Sequence, residues 1–342
     1  VRAAAPPAPT GSPPMTSTTT ETQTQTRTQT ESATESATTP ALRPAHIPPH
    51  GLHEGQRLLR RLPEGVRERP YDLFHVEPQA ATIGAEISGV DLSRPLTAAL
   101  REELNRALLE WKVLFFRRQH LSSLQQREFA RNWGELETNP LLDTGDSADV
   151  VRFDKGAAAT PSYENVWHTD VTFRPRPAMG AVLQLREVPA RGGDTMWADM
   201  AAAYDNLPAD VRARIDDATA EHDFLPGFRR FYGPERLAPW QDMFPPVTHP
   251  VVRTHPESGR RMLFVNTSFT TRIHGLERAE SDELLRLLYQ QAHVPEFQVR
   301  YRWQAGDIAF WDNRATQHYA VNDYGDARRV AERVAIAGDR PF

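Results

Sequence analysis

The stretch "GDIAFWDNRATQHYAVNDY" (residues 306–324) decides how the rest of the chain is read. Its first part, "DIAFWD" (307–312), is short, apolar and preceded by a glycine, the pattern of a buried strand. A polar cluster around His318 follows, which a plain strand does not need. Outward from it the same kind of short strand recurs in "GAVLQLREV" (180–188), "DTMWAD" (194–199), "RMLFVN" (261–266), "FQVRYRW" (297–303) and "RVAERVAIAG" (329–338). "VLFFR" (113–117) is a further buried strand. Helical spacing is confined to a few pieces. "TAALREELNRALLEWK" (97–112) carries Leu100, Leu104, Leu108 and Trp111 on one face, with Thr97 as N-cap. "SSLQQREFARNWG" (122–134), "PADVRARIDDA" (208–218) and "ESDELLRLLYQQAH" (280–293) are the others. Many short strands without regular β–α alternation predict a mainly β protein, a sandwich or barrel with helices added outside.

The chain has 342 residues, no cysteine, 39% hydrophobic residues and a formal charge of -5. A mildly acidic chain does not suit general binding to nucleic acid or to a membrane surface. Without cysteine there is no disulfide and no thiolate site, so a metal must be held by nitrogen and oxygen. No apolar run spans a bilayer and no secretory signal opens the sequence, so cytoplasmic residence is the expectation. Residues 1–50 are a Thr/Ser/Pro/Gln tract with too little apolar surface to offset its ordering entropy. The domain division expected is a disordered low-complexity arm over 1–70 and one folded domain over 71–342. Within the arm, residues 51–70 read as a short basic helix or an extended segment.

"NVWHTDVTF" (165–173) places His168 and Asp170 two residues apart. On a strand these would share a face and could grip one ion, with a third ligand from elsewhere. Context sorts the other histidines. His249 and His255 flank prolines and read as turns, His120, His274 and His293 as solvated, and His222 as a core histidine. His318 is the remaining candidate. Two histidines and a carboxylate suit either non-haem Fe(II), with three open positions, or a zinc hydrolase with one. A site for an anionic co-substrate would discriminate. Arg329 and Arg333, four apart on the last strand, share a face, and arginine offers a fixed fork to carboxylate.

"NVWHTDVTF", "RGGDTMWADMAAAYDNLP", "HPVVRTHPESGRRMLFVNTSFTTRI" and "GDIAFWDNRATQHYAVNDYGDARRVAERVAIAGDRPF" together resemble the taurine dioxygenase (TauD/TfdA) family of Fe(II)- and 2-oxoglutarate-dependent oxygenases. The resemblance runs from about Phe74 to the C-terminus. It implies a double-stranded β-helix, the jelly-roll form of the barrel. It implies His168, Asp170 and His318 as iron ligands, and Fe(II), 2-oxoglutarate and O2 as the reacting set. Thr195 and Arg329 are then the partners of the distal carboxylate of 2-oxoglutarate, with Arg333 between co-substrate and substrate. Trp167 and Trp311 are packing residues. The implied reaction hydroxylates a substrate carbon and yields succinate and CO2.

The substrate expected is a small, anionic molecule of the sulfonate or alkyl sulfate class, with taurine disfavoured; a carboxylate or amino-acid-like substrate is the alternative. Counting back from His168, the family's taurine-holding positions fall on Asn139, Leu142 and Glu164. Val171, Phe224 and Phe269 complete the expected substrate wall. A carboxylate at Glu164 either turns outward into solvent or faces the substrate, where it would attract an ammonium group and repel an anionic tail. The partner expected is a small molecule rather than nucleic acid or membrane, and the assembly a homo-oligomer, dimer or tetramer.

Overall fold

The strands Val113–Phe116 and Ile308–Asp312 lie side by side, antiparallel, in the middle of a seven-stranded sheet. In both, alternate side chains enter different cores. Leu114, Phe116, Ile308 and Phe310 face one way, Val113, Phe115, Ala309 and Trp311 the other. Both faces are covered, which is why these segments read as continuous apolar runs rather than alternating ones. The computed structural model describes residues 56–138, 147–156 and 164–342. Across the large sheet the order is His75–Pro78, Ala85–Ser88, Val113–Phe116, Ile308–Asp312, Gly180–Glu187, Arg329–Ile336 and Val151–Lys155.

One face carries the helices Ala98–Trp111 and Ser123–Ala130. Thr97 caps the first by accepting from the Leu100 N–H, and Ser122 with Gln125 forms a capping box on the second. Leu104, Leu108 and Trp111 bury the helix face that their spacing predicts. The other face meets a three-stranded sheet of Gln298–Tyr301, Thr195–Asp199 and Thr316–Ala320. Trp197 and Tyr301 of that sheet pack on Phe115 and Trp311 of the large one, with Phe115 and Tyr301 stacked at 4.0 Å between centroids. Two sheets closed on one core make the double-stranded β-helix, or jelly roll. A second three-stranded sheet, of Thr270–Ile273, Thr219–His222 and Val247–Pro250, stands beside it.

Three expectations are corrected here. His249 lies in the Val247–Pro250 strand and His255 is buried against Asp312, Nε2 to Oδ2 2.9 Å. Proline beside His249 did not make a turn, because strand ends and edges tolerate it, whereas the chain does turn over Pro256–Ser258 directly after His255, as expected. Residues 56–70 form no helix and are not loose. Arg61 pairs with Glu110 at 2.7 Å and lies over Trp111, while Arg260 donates to the carbonyls of Arg60 and Arg61. Ordered chain therefore begins ahead of the boundary drawn at residue 70. Residues 1–55 lie outside the described residues. Among the described residues no helix is long and apolar enough to cross a membrane.

Candidate metal centre and its two cavities

His168 and His318 meet as a backbone pair, each donating its N–H to the other's carbonyl, at 3.0 and 2.8 Å. His318 belongs to the Thr316–Ala320 strand. His168 sits on an isolated bridge, and Asp170 opens a turn. The expected shared strand face is thus corrected: the bridge fixes one ligand and the turn swings the other alongside. Asn313 shapes that turn. Its Oδ1 accepts from the Asp170 N–H at 2.9 Å, and its Nδ2 donates to the Asp170 and Ala178 carbonyls. Val171 follows at φ +49°, a left-handed conformation that strains a β-branched residue.

Donor atoms of His168, Asp170 and His318 all lie within 4.8 Å of one another, and all three residues are buried. The Nε2 atoms stand 3.7 Å and 3.9 Å from the Asp170 carboxylate oxygens. Donors adjacent on one ion, with bonds of ~2.1 Å, would be roughly 3 Å apart, so a small side-chain shift closes the set. The Val166 carbonyl, 2.8 Å from His168 Nδ1, accepts a hydrogen bond from Nδ1–H, which keeps the proton there and leaves Nε2 for a metal. His318 Nδ1 has no hydrogen-bond partner among the described residues; its ring is instead packed on Trp311, 5.0 Å between centroids. Burial pushes the His318 imidazole down to about 3, so it is neutral. For Asp170 burial acts upward, but the charge and hydrogen bonds of the Arg333 guanidinium outweigh it and hold the carboxyl at about 2. Arg333 Nη1 lies 2.9 Å from both Asp170 oxygens. Two imidazole nitrogens with one ionised carboxylate suit Fe(II).

A narrow cavity beside the triad is lined by Thr195, Arg329 and Arg333, so the two arginines do share a face. Arg329 is 8% exposed. It donates from Nε to the Gly193 carbonyl at 3.0 Å and from Nη2 to Thr195 Oγ1 at 3.4 Å. Among the described residues it has no carboxylate in ion-pair contact, and burial lowers its pKa. A buried guanidinium with no carboxylate in contact is costly and suits an incoming anion. Thr195 Oγ1 also accepts from Trp303 Nε1 at 2.9 Å. With both lone pairs engaged, its proton is available to donate to an incoming carboxylate.

On the other side of the triad opens a cavity of about 230 Å³. Val171, Phe173, Phe228, Phe231 and Phe269 give it an apolar wall, and Arg230 stands at its exposed mouth. Phe269 is thus where the resemblance implied. Phe224 is not on the wall: it is buried behind it, packed on Phe173 and Phe228. Glu164 lines both cavities, but Lys155 Nζ sits 3.1 Å from its carboxylate, so its charge is not simply presented to a substrate. Asn139 and Leu142 lie outside the described residues. The sequence reading missed Asn313, Phe173, Phe228, Lys155 and Tyr324. Asn313 was within the polar cluster already singled out. Lys155 and Tyr324 carry no local signal. His222, as expected, is a core histidine, bonded to Thr172 Oγ1 at 3.0 Å.

Residues 75–335 match the family described as "Taurine catabolism dioxygenase TauD, TfdA family". The chain is 42% identical over 277 residues to an alpha-ketoglutarate-dependent sulfate ester dioxygenase of Pseudomonas putida, covering 78% of this chain and 90% of that one. It is 37% identical to an alkylsulfatase of Acinetobacter baylyi, covering 80% and 87%. The crystal structure of a taurine dioxygenase from Burkholderia xenovorans superposes with a TM-score of 0.69 at 37% identity, covering 79% and 93%.

Proposed function

The chain belongs to the TauD/TfdA family of Fe(II)- and 2-oxoglutarate-dependent dioxygenases, and from that premise we propose that it hydroxylates the sulfate-bearing carbon of an alkyl sulfate ester. Fe(II), 2-oxoglutarate and O2 would supply the oxidising power to replace a C–H hydrogen by hydroxyl, with succinate and CO2 as by-products. A carbon carrying both hydroxyl and sulfate then collapses to an aldehyde and hydrogen sulfate.

In this reading His168, Asp170 and His318 hold the iron. Arg329 and Thr195 grip the distal carboxylate of 2-oxoglutarate, and Arg333 steadies Asp170 while facing the bound anions. The residues thus fix the orientation of two reactants, which is the protein's main contribution to such chemistry. Val171, Phe173, Phe228 and Phe269 exclude water and take the alkyl body.

The observation that carries the substrate reading is the pairing of an apolar wall with surplus positive charge. Close to the triad, Lys155, Arg329 and Arg333 face two carboxylates, Asp170 and Glu164. A divalent ion and a dianionic co-substrate leave one positive charge, which a monoanionic sulfate ester neutralises and zwitterionic taurine does not. The likeness to a sulfate ester dioxygenase and an alkylsulfatase supports the same choice. The test is sulfate release coupled to oxygen uptake, comparing hexyl sulfate, hexanesulfonate and taurine. Turnover on taurine alone would refute the proposal. The reading includes a cytoplasmic homo-oligomer, dimer or tetramer, which light scattering on the purified protein tests.

A further inference from the structure

Lys155 ends the Val151–Lys155 strand, and the register sets it directly opposite Arg329 on the neighbouring Arg329–Ile336 strand. Directly opposed residues of an antiparallel pair point to the same face, and like charges there repel. Both side chains line the narrow cavity that ends at Thr195. Two cations are thus built into one side of a cavity whose expected occupant is a dicarboxylate.

The anion that keeps this arrangement tolerable is Glu164. Its Oε2 is 3.1 Å from Lys155 Nζ, with the two side chains 14% and 12% exposed. The same carboxylate acts through space on Arg329, raising its pKa against the effect of burial. The Glu164 backbone is pinned: its carbonyl accepts from the Ala320 N–H at 3.1 Å, and Asn165 Nδ2 donates to the Ala320 carbonyl at 2.9 Å. Any change at Glu164 is therefore a rotation of its side chain. The residue lines both cavities.

We infer that Lys155 is a second cation for the distal carboxylate of 2-oxoglutarate, and that Glu164 holds that carboxylate's place as an internal counter-ion until the co-substrate binds. On arrival of the co-substrate, Lys155 exchanges one carboxylate for another, and the Glu164 side chain is released from it. The inference rests on the dioxygenase reading and concerns this chain's own residues toward the co-substrate.

The experiment is calorimetric titration of full-length protein, loaded with Mn(II) and free of O2, with 2-oxoglutarate. No turnover is needed. Lys155→Met should raise the dissociation constant by about tenfold or more, the loss of one charge-assisted contact. Lys155→Arg should restore most of the affinity. Glu164→Gln should tighten binding severalfold, because the competitor for Lys155 is gone. A Lys155→Met protein that binds 2-oxoglutarate as tightly as the parent, with only a lower melting temperature, would overturn the inference and make the pair a structural pin. Should Lys155→Met not fold, Glu164→Gln decides alone, since unchanged or weaker binding contradicts an internal competitor. A parent protein that takes up no 2-oxoglutarate would sink the dioxygenase reading itself, which sets that failure apart.

Discussion

Replacing Arg329 by Met should separate co-substrate affinity from fold stability. The guanidinium is 8% exposed and donates only to the Gly193 carbonyl and Thr195 Oγ1 among the described residues. Losing two such bonds costs about 1 kcal/mol each. Removing a buried cation without a contacting counter-ion returns an amount of similar or larger size, on the order of several kcal/mol. The Met variant should therefore melt at the parent temperature or a few degrees above it. Its affinity should move the other way. A desolvated carboxylate that loses its charge-assisted partner loses roughly 2–5 kcal/mol, or about 30-fold to several thousand-fold in dissociation constant. The assay pairs calorimetric titration of the Mn(II)-loaded, oxygen-free protein with thermal melting of the empty protein. Thr195→Val serves as the mild companion: one hydrogen bond lost, about tenfold in affinity. Unchanged binding of 2-oxoglutarate by Arg329→Met would place the distal carboxylate elsewhere. A large fall in melting temperature would show the guanidinium to be a structural strut.

Alanine at His168, Asp170 or His318 should each abolish turnover and strip iron on dialysis, as two remaining donors no longer hold a facial set; metal analysis of the dialysed variants checks this, and His222→Ala should keep its iron. His222 and His249 are both held below the ordinary histidine value, chiefly by burial, and are neutral in the fold. The unfolded chain takes up protons on them below about pH 6.5 while the fold does not, so their contribution is complete above that pH and is lost as pH falls through it. Denaturant titrations between pH 7.5 and 5 should show stability falling, and less steeply in His222→Asn. Deleting residues 1–50 should leave the melting temperature within about 2 °C of the parent, since a Thr/Ser/Gln tract buries little. Deleting residues 1–70 should lower it clearly, because the Arg61–Glu110 pair and the Arg260 contacts go with it.

The sequence by itself determined the sheet-rich class, because strands buried on both faces appear as short apolar runs, and "VLFFR" and "DIAFWD" are such runs. It determined the first helix and its Thr97 cap, since those signals are local. It also carried the three candidate metal ligands and Arg329 in motifs long enough to mark the family. The tertiary structure decided what depends on residues distant in the chain. His168 and Asp170 do not lie on one strand; their approach comes from a bridge to His318 and from Asn313, 143 residues away. Phe224, a wall residue by resemblance, is turned behind Phe173 by the packing of the 225–243 segment. Lys155 had no local mark at all, because its meaning lies in the register that sets it against Arg329. Glu164 was read either as a charge facing a substrate or as one turned to solvent, whereas its carboxylate pairs with Lys155 and lines two cavities. Periodicity reports which face of an element is buried, but not which element it faces, and charge acquires its function only from the neighbours that the fold supplies.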